Sequence, residues 1–187
     1  DDFGNRVTVD PSGNVLLAGQ FHGEARFGGP SYISAGQGDG FFARYSPLGD
    51  YQWSRRVGGA GEDIINGITV DADGNFSVLG VFTGTTDYGT GPLKSIGPAD
   101  AILARFPSDL KPDSTPLWAR HFGGERELTA GALATAIDGS ITITGAANST
   151  VDLGGGPLVG GGIYAARFEP QGALRWQRNY AGPGNAG

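Results

Sequence analysis

Residues 68–82, ITVDADGNFSVLGVF, decide the fold of this chain because the sequence contains the stretch three times. An earlier copy, VTVDPSGNVLLAGQF, occupies residues 7–21, and a more divergent copy, LATAIDGSITITGAA, occupies residues 133–147. Each copy has a short apolar run, a corner that contains glycine, and a second run rich in β-branched and apolar residues. This order is typical of a β-hairpin, so the sequence predicts three equivalent hairpins.

The repeat extends beyond the hairpin. Each copy is followed by an Ala-Arg-aromatic triplet and then by a tryptophan with an arginine two residues later. The triplet arginines are Arg44, Arg105 and Arg167, and the tryptophans are Trp53, Trp118 and Trp176. The corner glycines Gly13, Gly74 and Gly139 are 61 and 65 residues apart. We therefore predict three units of roughly 60 residues, at 1–61, 62–126 and 127–187.

Each unit contains four candidate strands, which in the first unit are about residues 7–10, 14–21, 40–45 and 51–57. A long glycine-rich connection, residues 22–39, separates the second strand from the third. The other joints are short corners with turn-forming residues. The sequence therefore predicts an all-β chain of three four-stranded antiparallel sheets.

The third strand of each unit indicates how these sheets pack. Phe41, Ala43 and Tyr45 alternate with Phe42 and Arg44, so apolar side chains point to both faces of the sheet. A sheet that is covered on both faces and repeated in tandem is typical of a β-propeller blade. The predicted fold is therefore a β-propeller with three tandem four-stranded antiparallel blades.

Composition excludes several classes of protein. The net charge of −6 disfavours a nucleic-acid partner, because phosphates would repel the chain. No apolar run approaches the ~20 residues of a membrane-spanning helix. Cysteine is absent, which excludes disulfides and thiolate metal sites and leaves the redox compartment open. The chain has no methionine and starts at Asp1, so we expect a processed protein or a portion of a longer one.

The motifs of the second unit resemble the bacterial SBBP β-propeller repeat, and the resemblance covers nearly the whole chain. The residues that carry it are Val70, Asp71, Gly74, Asn75, Gly80, Phe82, Gly84, Tyr88, Gly89, Gly91, Pro92, Asp100, Ala101, Ala104, Arg105, Phe106, Trp118, Arg120, Gly123 and Gly124. The third unit departs from the pattern at Thr135, Ser140 and Gly162. The order of turns is similar to that of NHL-type propellers, which implies an innermost first strand and an outermost tryptophan-bearing strand. The resemblance implies an exported or cell-surface bacterial protein and no particular reaction.

Three blades are too few to close a ring, because propellers close with about four to eight. We expect an arc that is completed by further blades of the same polypeptide or by a second copy, two arcs of three making six blades. Residues 181–184 stop where a next unit would start. Apolar residues should then be exposed on the first face of unit one and on the last face of unit three. The alternative is a β-trefoil, a compact monomer with polar end faces.

The hairpin corners could be metal sites or structural turns. Asp71-Ala72-Asp73-Gly74-Asn75 is similar to the start of a calcium loop, but the loop has no glutamate at the distance that an EF-hand needs. We favour a structural corner closed by the aspartate side chain, with the corner glycines at positive φ. No metal and no cofactor are predicted, and Ca²⁺ is the disfavoured alternative.

The repeated arginines and tryptophans have structural and binding interpretations. Arg44, Arg105 and Arg167 could form a ring for an anionic ligand, but mid-strand arginines in a two-sided sheet normally pair with acids. The candidate acids are Asp10 with Asp39 and Asp71 with Asp100. Trp53, Trp118 and Trp176 could stack on the arginines that follow them and bind sugars or peptides, but we favour plugs in the outer gap between blades.

The connections between units supply the best candidates for a ligand or cation surface. In a propeller these turns open onto one face near the central channel. The acidic residues there are Asp2, Glu62, Asp63, Glu125 and Glu127, with Asp1 beside them. A solvated acidic rim is the alternative interpretation.

Catalytic motifs are absent from the sequence. The two histidines, His22 and His121, occupy unrelated positions, and no G-x-S-x-G motif occurs. We predict a non-enzymatic extracellular or cell-surface module that binds a protein or a glycan or has a structural role. The alternative is a carbohydrate-active propeller hydrolase that uses two rim carboxylates, one of them with a raised pKa.

Overall fold

The computed structural model describes residues 1–111 and 114–180, and these residues form three successive β-sheet units, blades 1 to 3. Blade 1 contains β1 (Phe3–Val9), β2 (Val15–Phe21), β3 (Glu24–Arg26), β4 (Ser31–Ile33), β5 (Asp39–Tyr45) and β6 (Tyr51–Val57). Blade 2 contains β7 (Asp63–Val70), β8 (Phe76–Phe82), β9 (Thr85–Thr86), β10 (Leu93–Lys94), β11 (Asp100–Phe106) and β12 (Trp118–Phe122). Blade 3 contains β13 (Leu128–Thr135), β14 (Ile141–Ala147), β15 (Val151–Asp152), β16 (Pro157–Leu158), β17 (Gly162–Phe168) and β18 (Leu174–Tyr180).

Each blade is a four-stranded antiparallel sheet with a small two-stranded ribbon inserted in it. The sheets have the orders β1-β2-β5-β6, β7-β8-β11-β12 and β13-β14-β17-β18, and the ribbons are β3-β4, β9-β10 and β15-β16. The three sheets confirm the predicted all-β arc of propeller blades. The predicted chain end at residues 181–184 lies outside the described residues.

The first strands of the blades lie side by side on the inner edge of the arc. Strand β7 contacts both β1 and β13, and the Asn5 side chain donates a hydrogen bond to the Ile65 carbonyl across that edge at 3.0 Å. Each first strand carries a β-bulge at the same position of the repeat, at Asn5, Asn66 and Gly131. This is the inner position that the NHL-like order of turns implies.

The core lies between the blades. Side chains of β2, β5 and β6 pack with Ile68, Phe76, Val78 and Phe106 in the cluster between blades 1 and 2. A second cluster joins Leu79 and Leu103 of blade 2 to the facing side of blade 3. Blade 2 is therefore covered on both faces, as the alternation of apolar residues along its third strand predicts.

The structure differs from the sequence-based prediction in the long connection of each unit. Residues 22–39 contain the ribbon of β3 and β4, in which Ala25 and Tyr32 are paired. The ribbon packs on the blade that carries it: Ala25 is buried with Phe21 and Phe41, and the Phe27 ring stacks on Phe41 at 4.0 Å between centroids. Two- and three-residue strands give too short a period to be recognised in sequence. The first strand also begins at Phe3, four residues earlier than predicted.

The hairpin corners have the predicted backbone. Gly13, Gly74 and Gly139 have φ angles of 82°, 80° and 76°. At the second corner the Asp71 side chain accepts hydrogen bonds from the amides of Asp73 and Asn75, both at 2.9 Å. The aspartate therefore closes the turn, as in an Asx-type corner.

The two end faces of the arc expose apolar residues, as predicted. On the first face of blade 1, Val7 and Val9 are 64% and 55% exposed. On the last face of blade 3, Ile163 and Tyr180 are 57% and 58% exposed. No helix among the described residues is long and apolar enough to cross a bilayer.

Candidate functional site

The repeated arginines tie the corners and the blades together. Arg44 forms an ion pair with Asp10, and Arg105 forms one with Asp71. Each guanidinium also reaches the next blade: Arg44 donates to the Ser108 carbonyl at 2.9 Å, and Arg105 donates to the Gly139 carbonyl at 3.2 Å. These contacts give the two arginines structural partners on both sides.

The third-strand aspartates take other partners than the ones that the sequence suggests. Asp39 pairs with Arg56, and Asp100 pairs with His121, whose Nε2 lies 2.6 Å from its carboxylate. The reason is the alternation of side chains along a strand. Asp39 and Arg44 are five residues apart in β5, so they point to opposite faces of the sheet.

Arg167 of blade 3 has a different set of partners, because Ala136 stands where the other corners have aspartate. Its Nη2 donates to the Ser140 hydroxyl at 2.6 Å and lies 3.4 Å from Asp138. Hydrogen bonds from the hydroxyl and the amide of Ser140, together with the nearby charges of Arg167 and Arg175, lower the pKa of Asp138 to about 2.

The tryptophans of blades 1 and 2 fill the gaps between blades. The Trp53 ring stacks on Phe76 of blade 2 at 5.6 Å, and the Trp118 indole donates to the Pro170 carbonyl of blade 3 at 2.8 Å. The Arg55 guanidinium lies over Phe106 of the next blade, 5.5 Å from the ring centre. These contacts fit the plug interpretation. Trp176 occupies the same position on the end face of blade 3.

The predicted rim acids have different environments. Asp2 accepts a hydrogen bond from the His22 amide at 2.9 Å, and Glu62 accepts one from Gln20 at 2.9 Å. Glu125 and Glu127 are exposed. Asp63 differs from the prediction, because it is fully buried and cannot belong to a surface rim.

Asp63 lies in a buried polar cluster at the start of β7. Burial, with a smaller contribution from the nearby Asp39 carboxylate, raises the pKa of its carboxyl to about 6. The Gly59 amide, which donates to Asp63 at 2.9 Å, the Thr86 hydroxyl and the Arg56 guanidinium oppose that shift. A buried acid with a raised pKa is a common feature of enzyme sites, but Asp63 lines neither of the two clefts that we describe.

The larger cleft has a volume of about 880 Å³ and lies where blade 2 connects to blade 3. We call it the blade 3 cleft. One wall is the connection between the two blades, and the others are the loops on either side of the β15-β16 ribbon and the blade 2 loop that contains Pro98. Its lining residues are Pro98, Glu125, Arg126, Glu127, Ala147, Asn148, Ser149, Thr150, Val159, Gly160 and Gly161.

The loop before β17 differs from its counterparts in a way that opens this cleft. Residues 159–161 form a three-residue loop, whereas residues 34–38 and 95–99 form five-residue loops in blades 1 and 2. In blade 2 the Asp100 carboxylate also accepts hydrogen bonds from the backbone amides of Ile96 and Gly97, at 2.7 and 3.3 Å. These hydrogen bonds fix the loop against the start of β11. Blade 3 has Gly162 at this position, so its shorter loop also lacks a carboxylate anchor.

The glycines of this loop have positive φ angles, a backbone conformation that is strained for residues with a side chain. Gly161 has a φ of 66°, and a methyl group added to it would lie 2.8 Å from the Ala147 carbonyl oxygen. The cleft wall at this point is therefore bare backbone. The only sequence signal for this site is the loss of the third-strand aspartate in a glycine-rich loop, and it gives no indication of the cleft volume.

The smaller cleft, about 280 Å³, lies between the corners of blades 1 and 2, with Asp10, Arg44, Asp73 and Asp109 in its wall. Asp10 already pairs with Arg44 and accepts hydrogen bonds from the Asn14 amide and side chain. Within residues 1–111 and 114–180, no group of three or more His, Asp or Glu side chains is placed to hold a metal ion.

The comparisons with known proteins point to a propeller-like repeat protein. No family model matches the chain. An uncharacterized WD repeat-containing protein, L264 of Acanthamoeba polyphaga mimivirus, is 28% identical over 117 residues. The match covers 54% of this chain and 8% of that relative, so the chain corresponds to a small part of its length. The similarity and the three four-stranded blades agree on a β-propeller-like repeat protein, the architecture of an interaction module.

Proposed function

We propose that this chain is a non-enzymatic β-propeller interaction module that binds a basic peptide segment in the blade 3 cleft. The observation that carries the proposal is the pair of exposed carboxylates, Glu125 and Glu127, in the wall of the largest cleft that we describe. The similarity to a WD repeat-containing protein supports a role in protein interaction. Exported or cell-surface location is part of the proposal and rests on the resemblance to SBBP repeats.

The chemistry of the cleft supports a cationic, extended ligand. The two carboxylates of the lining outnumber its one cation, Arg126, and in a chain of net charge −6 they attract lysine and arginine side chains. Asn148, Ser149 and Thr150 add polar groups that suit a peptide backbone, and the exposed Val159 offers an apolar contact at the edge of the cleft. The bare glycine backbone at 160–161 allows a peptide to approach closely.

A hydrolase is less well supported by the geometry. The acid with a raised pKa, Asp63, is buried among Gly59, Thr86, Asp39 and Arg56 and does not line the blade 3 cleft, whereas the two glutamates do. The pair of facing carboxylates that glycoside hydrolysis needs, one with a raised pKa at a pocket, is therefore not supplied by Asp63. We favour binding without turnover.

The test is binding of a fluorescein-labelled decapeptide of alternating lysine and serine, measured by fluorescence anisotropy at low and high NaCl. We expect binding that salt weakens, and binding that is roughly tenfold weaker for the double variant Glu125→Gln/Glu127→Gln, because two charge-assisted contacts are lost. The same peptide with glutamate in place of lysine should not bind.

The matched control is the double variant Asp73→Asn/Asp109→Asn. It removes two exposed carboxylates from turns of blade 2, one after β7 and one after β11, neither of which lines the blade 3 cleft. This variant has the same net charge as the cleft variant, so it should retain the affinity of the unaltered chain if the cleft is the site. Equal losses in the two variants would show a general charge effect and would contradict the cleft. Absence of salt-sensitive binding by the unaltered chain would contradict the ligand class.

A further inference from the structure

The interface between blades 2 and 3 is held by donors on one blade and backbone carbonyls on the next. The Trp118 indole donates to the Pro170 carbonyl at 2.8 Å, and the Arg120 guanidinium donates to the Gly172 carbonyl. Both acceptors belong to the turn between the third and fourth strands of blade 3. This turn is therefore the receptor for the tryptophan-bearing strand of the preceding blade.

Each end face of the arc has one half of such an interface: blade 3 has the donors, and blade 1 has the receptor turn. On blade 3, Trp176 and Arg178 occupy the positions of Trp118 and Arg120. On blade 1, the turn at 46–50 matches the receptor turn at 169–173: the Ser46 amide bonds the Asp50 carbonyl, as the Glu169 amide bonds the Ala173 carbonyl. Pro47 and Gly49 then correspond to Pro170 and Gly172.

The receptor glycines show what is missing from blade 1. Gly172 is buried, and a methyl group added to it would lie 2.8 Å from the Trp118 ring. Gly49 has nearly the same φ, 88° against 86°, but it is exposed, and a methyl group there would meet nothing within 4 Å. The Gly49 turn is thus a tryptophan receptor of the same shape, open to solvent.

Apolar side chains at two further positions of the repeat show the same difference between covered and uncovered faces. At one position of the repeat, Val57 and Phe122 are covered by the next blade and are only 1% and 3% exposed, whereas Tyr180, which has no next blade, is 58% exposed. At another position, Ile68 is covered by the preceding blade and is 6% exposed, whereas its counterpart Val7, which has no preceding blade, is 64% exposed. Exposure is confined to the members of each set that lack a neighbouring blade, which indicates that these faces are built to be covered.

We propose that a second copy of this chain covers them, with blade 3 of each copy packed on blade 1 of the other. Trp176 of one copy then donates to the Pro47 carbonyl of its partner and lies over Gly49, as Trp118 does within the chain. The two copies then form two identical interfaces, each between blade 3 of one copy and blade 1 of the other. The result is a closed six-bladed ring, within the range of about four to eight blades at which propellers close. It is independent of what the blade 3 cleft binds.

The test is the mass of the 187-residue chain in solution, measured by sedimentation equilibrium over a range of concentrations. We expect twice the chain mass of 19.2 kDa. Trp176→Ala should weaken association by roughly a thousandfold, because the buried tryptophan is removed from both interfaces of the ring. Gly49→Asn should do the same by filling the receptor, since asparagine tolerates positive φ. Both variants should keep the β-sheet circular dichroism of the unaltered chain, because Trp176 and Gly49 both lie outside the hydrophobic core clusters of a single copy.

Mixing the two variants distinguishes a head-to-tail ring from other dimers. A mixed pair keeps one intact interface, between Trp176 of the Gly49→Asn copy and the Gly49 turn of the Trp176→Ala copy. Association should therefore recover in part on mixing. Ile96→Ala, an exposed apolar substitution on the middle blade, is the matched control and should leave the dimer intact. A monomer at all concentrations, or a dimer that neither variant weakens, would overturn the proposal.

Discussion

Replacing Arg105 with leucine is expected to lower the free energy of unfolding by about 3 kcal/mol or more, the usual result of breaking a buried ion pair. The side chains of Arg105 and Asp71 are 5% and 4% exposed. Leucine leaves the Asp71 carboxylate buried without its counter-charge and leaves the Gly139 carbonyl without its donor. Urea denaturation measures the loss.

The matched variant is Arg167→Leu, at the same position of blade 3. Its partner Asp138 is 47% exposed, so water can replace the arginine, and we expect a much smaller loss of stability. Equal losses at the two positions would contradict the role assigned to burial. An Arg105→Leu chain that unfolds at the unaltered temperature but no longer binds its ligand would make this arginine a binding residue instead of a structural one.

Asp63 is expected to make the chain more stable in mildly acidic solution than at neutral pH. The folded carboxyl has a pKa of about 6, above the ordinary value of 3.8, so the folded state binds a proton that the unfolded state does not bind between these values. Stability therefore rises as pH falls from 7 towards 4, by at most about 3 kcal/mol from this group.

Asp63→Asn isolates the contribution of this carboxyl. The asparagine amide oxygen can still accept the Gly59 hydrogen bond, and the variant has no charge to bury at neutral pH. We expect the variant to be more stable than the unaltered chain at pH 7 and to lose that advantage by pH 4. Urea denaturation at several pH values gives the difference between the two chains. A difference that does not change with pH would show that the Asp63 pKa is not raised.

The architecture could be predicted from the sequence because it depends on local patterns. Positive φ at Gly74, the closing role of Asp71 and the two-sided third strand follow from turn chemistry and from the period of a β-strand. Three copies of each pattern strengthen the prediction, because the same spacing recurs in each unit. The exposed apolar end faces follow from counting blades.

The prediction was weaker where contacts depend on which face a residue occupies. Asp39 and Asp100 were candidate partners for the mid-strand arginines, yet they point to the other face and pair with Arg56 and His121. The position of Asp63 in a turn-like acidic stretch suggested a surface rim, but the strand β7 begins at this residue and carries its side chain into the interior. A shift of one residue in a strand boundary reverses inside and outside.

The sequence by itself determined the repeat, the strand order within a unit and the hairpin corners, because these depend on residues that are close along the chain. Only the tertiary structure decided where polar groups pair and where a cleft opens. The blade 3 cleft depends on a loop that is two residues shorter than its counterparts and on the Gly162 position that lacks a carboxylate. Its volume comes from the distances between four separate segments, and no single segment of sequence contains those distances.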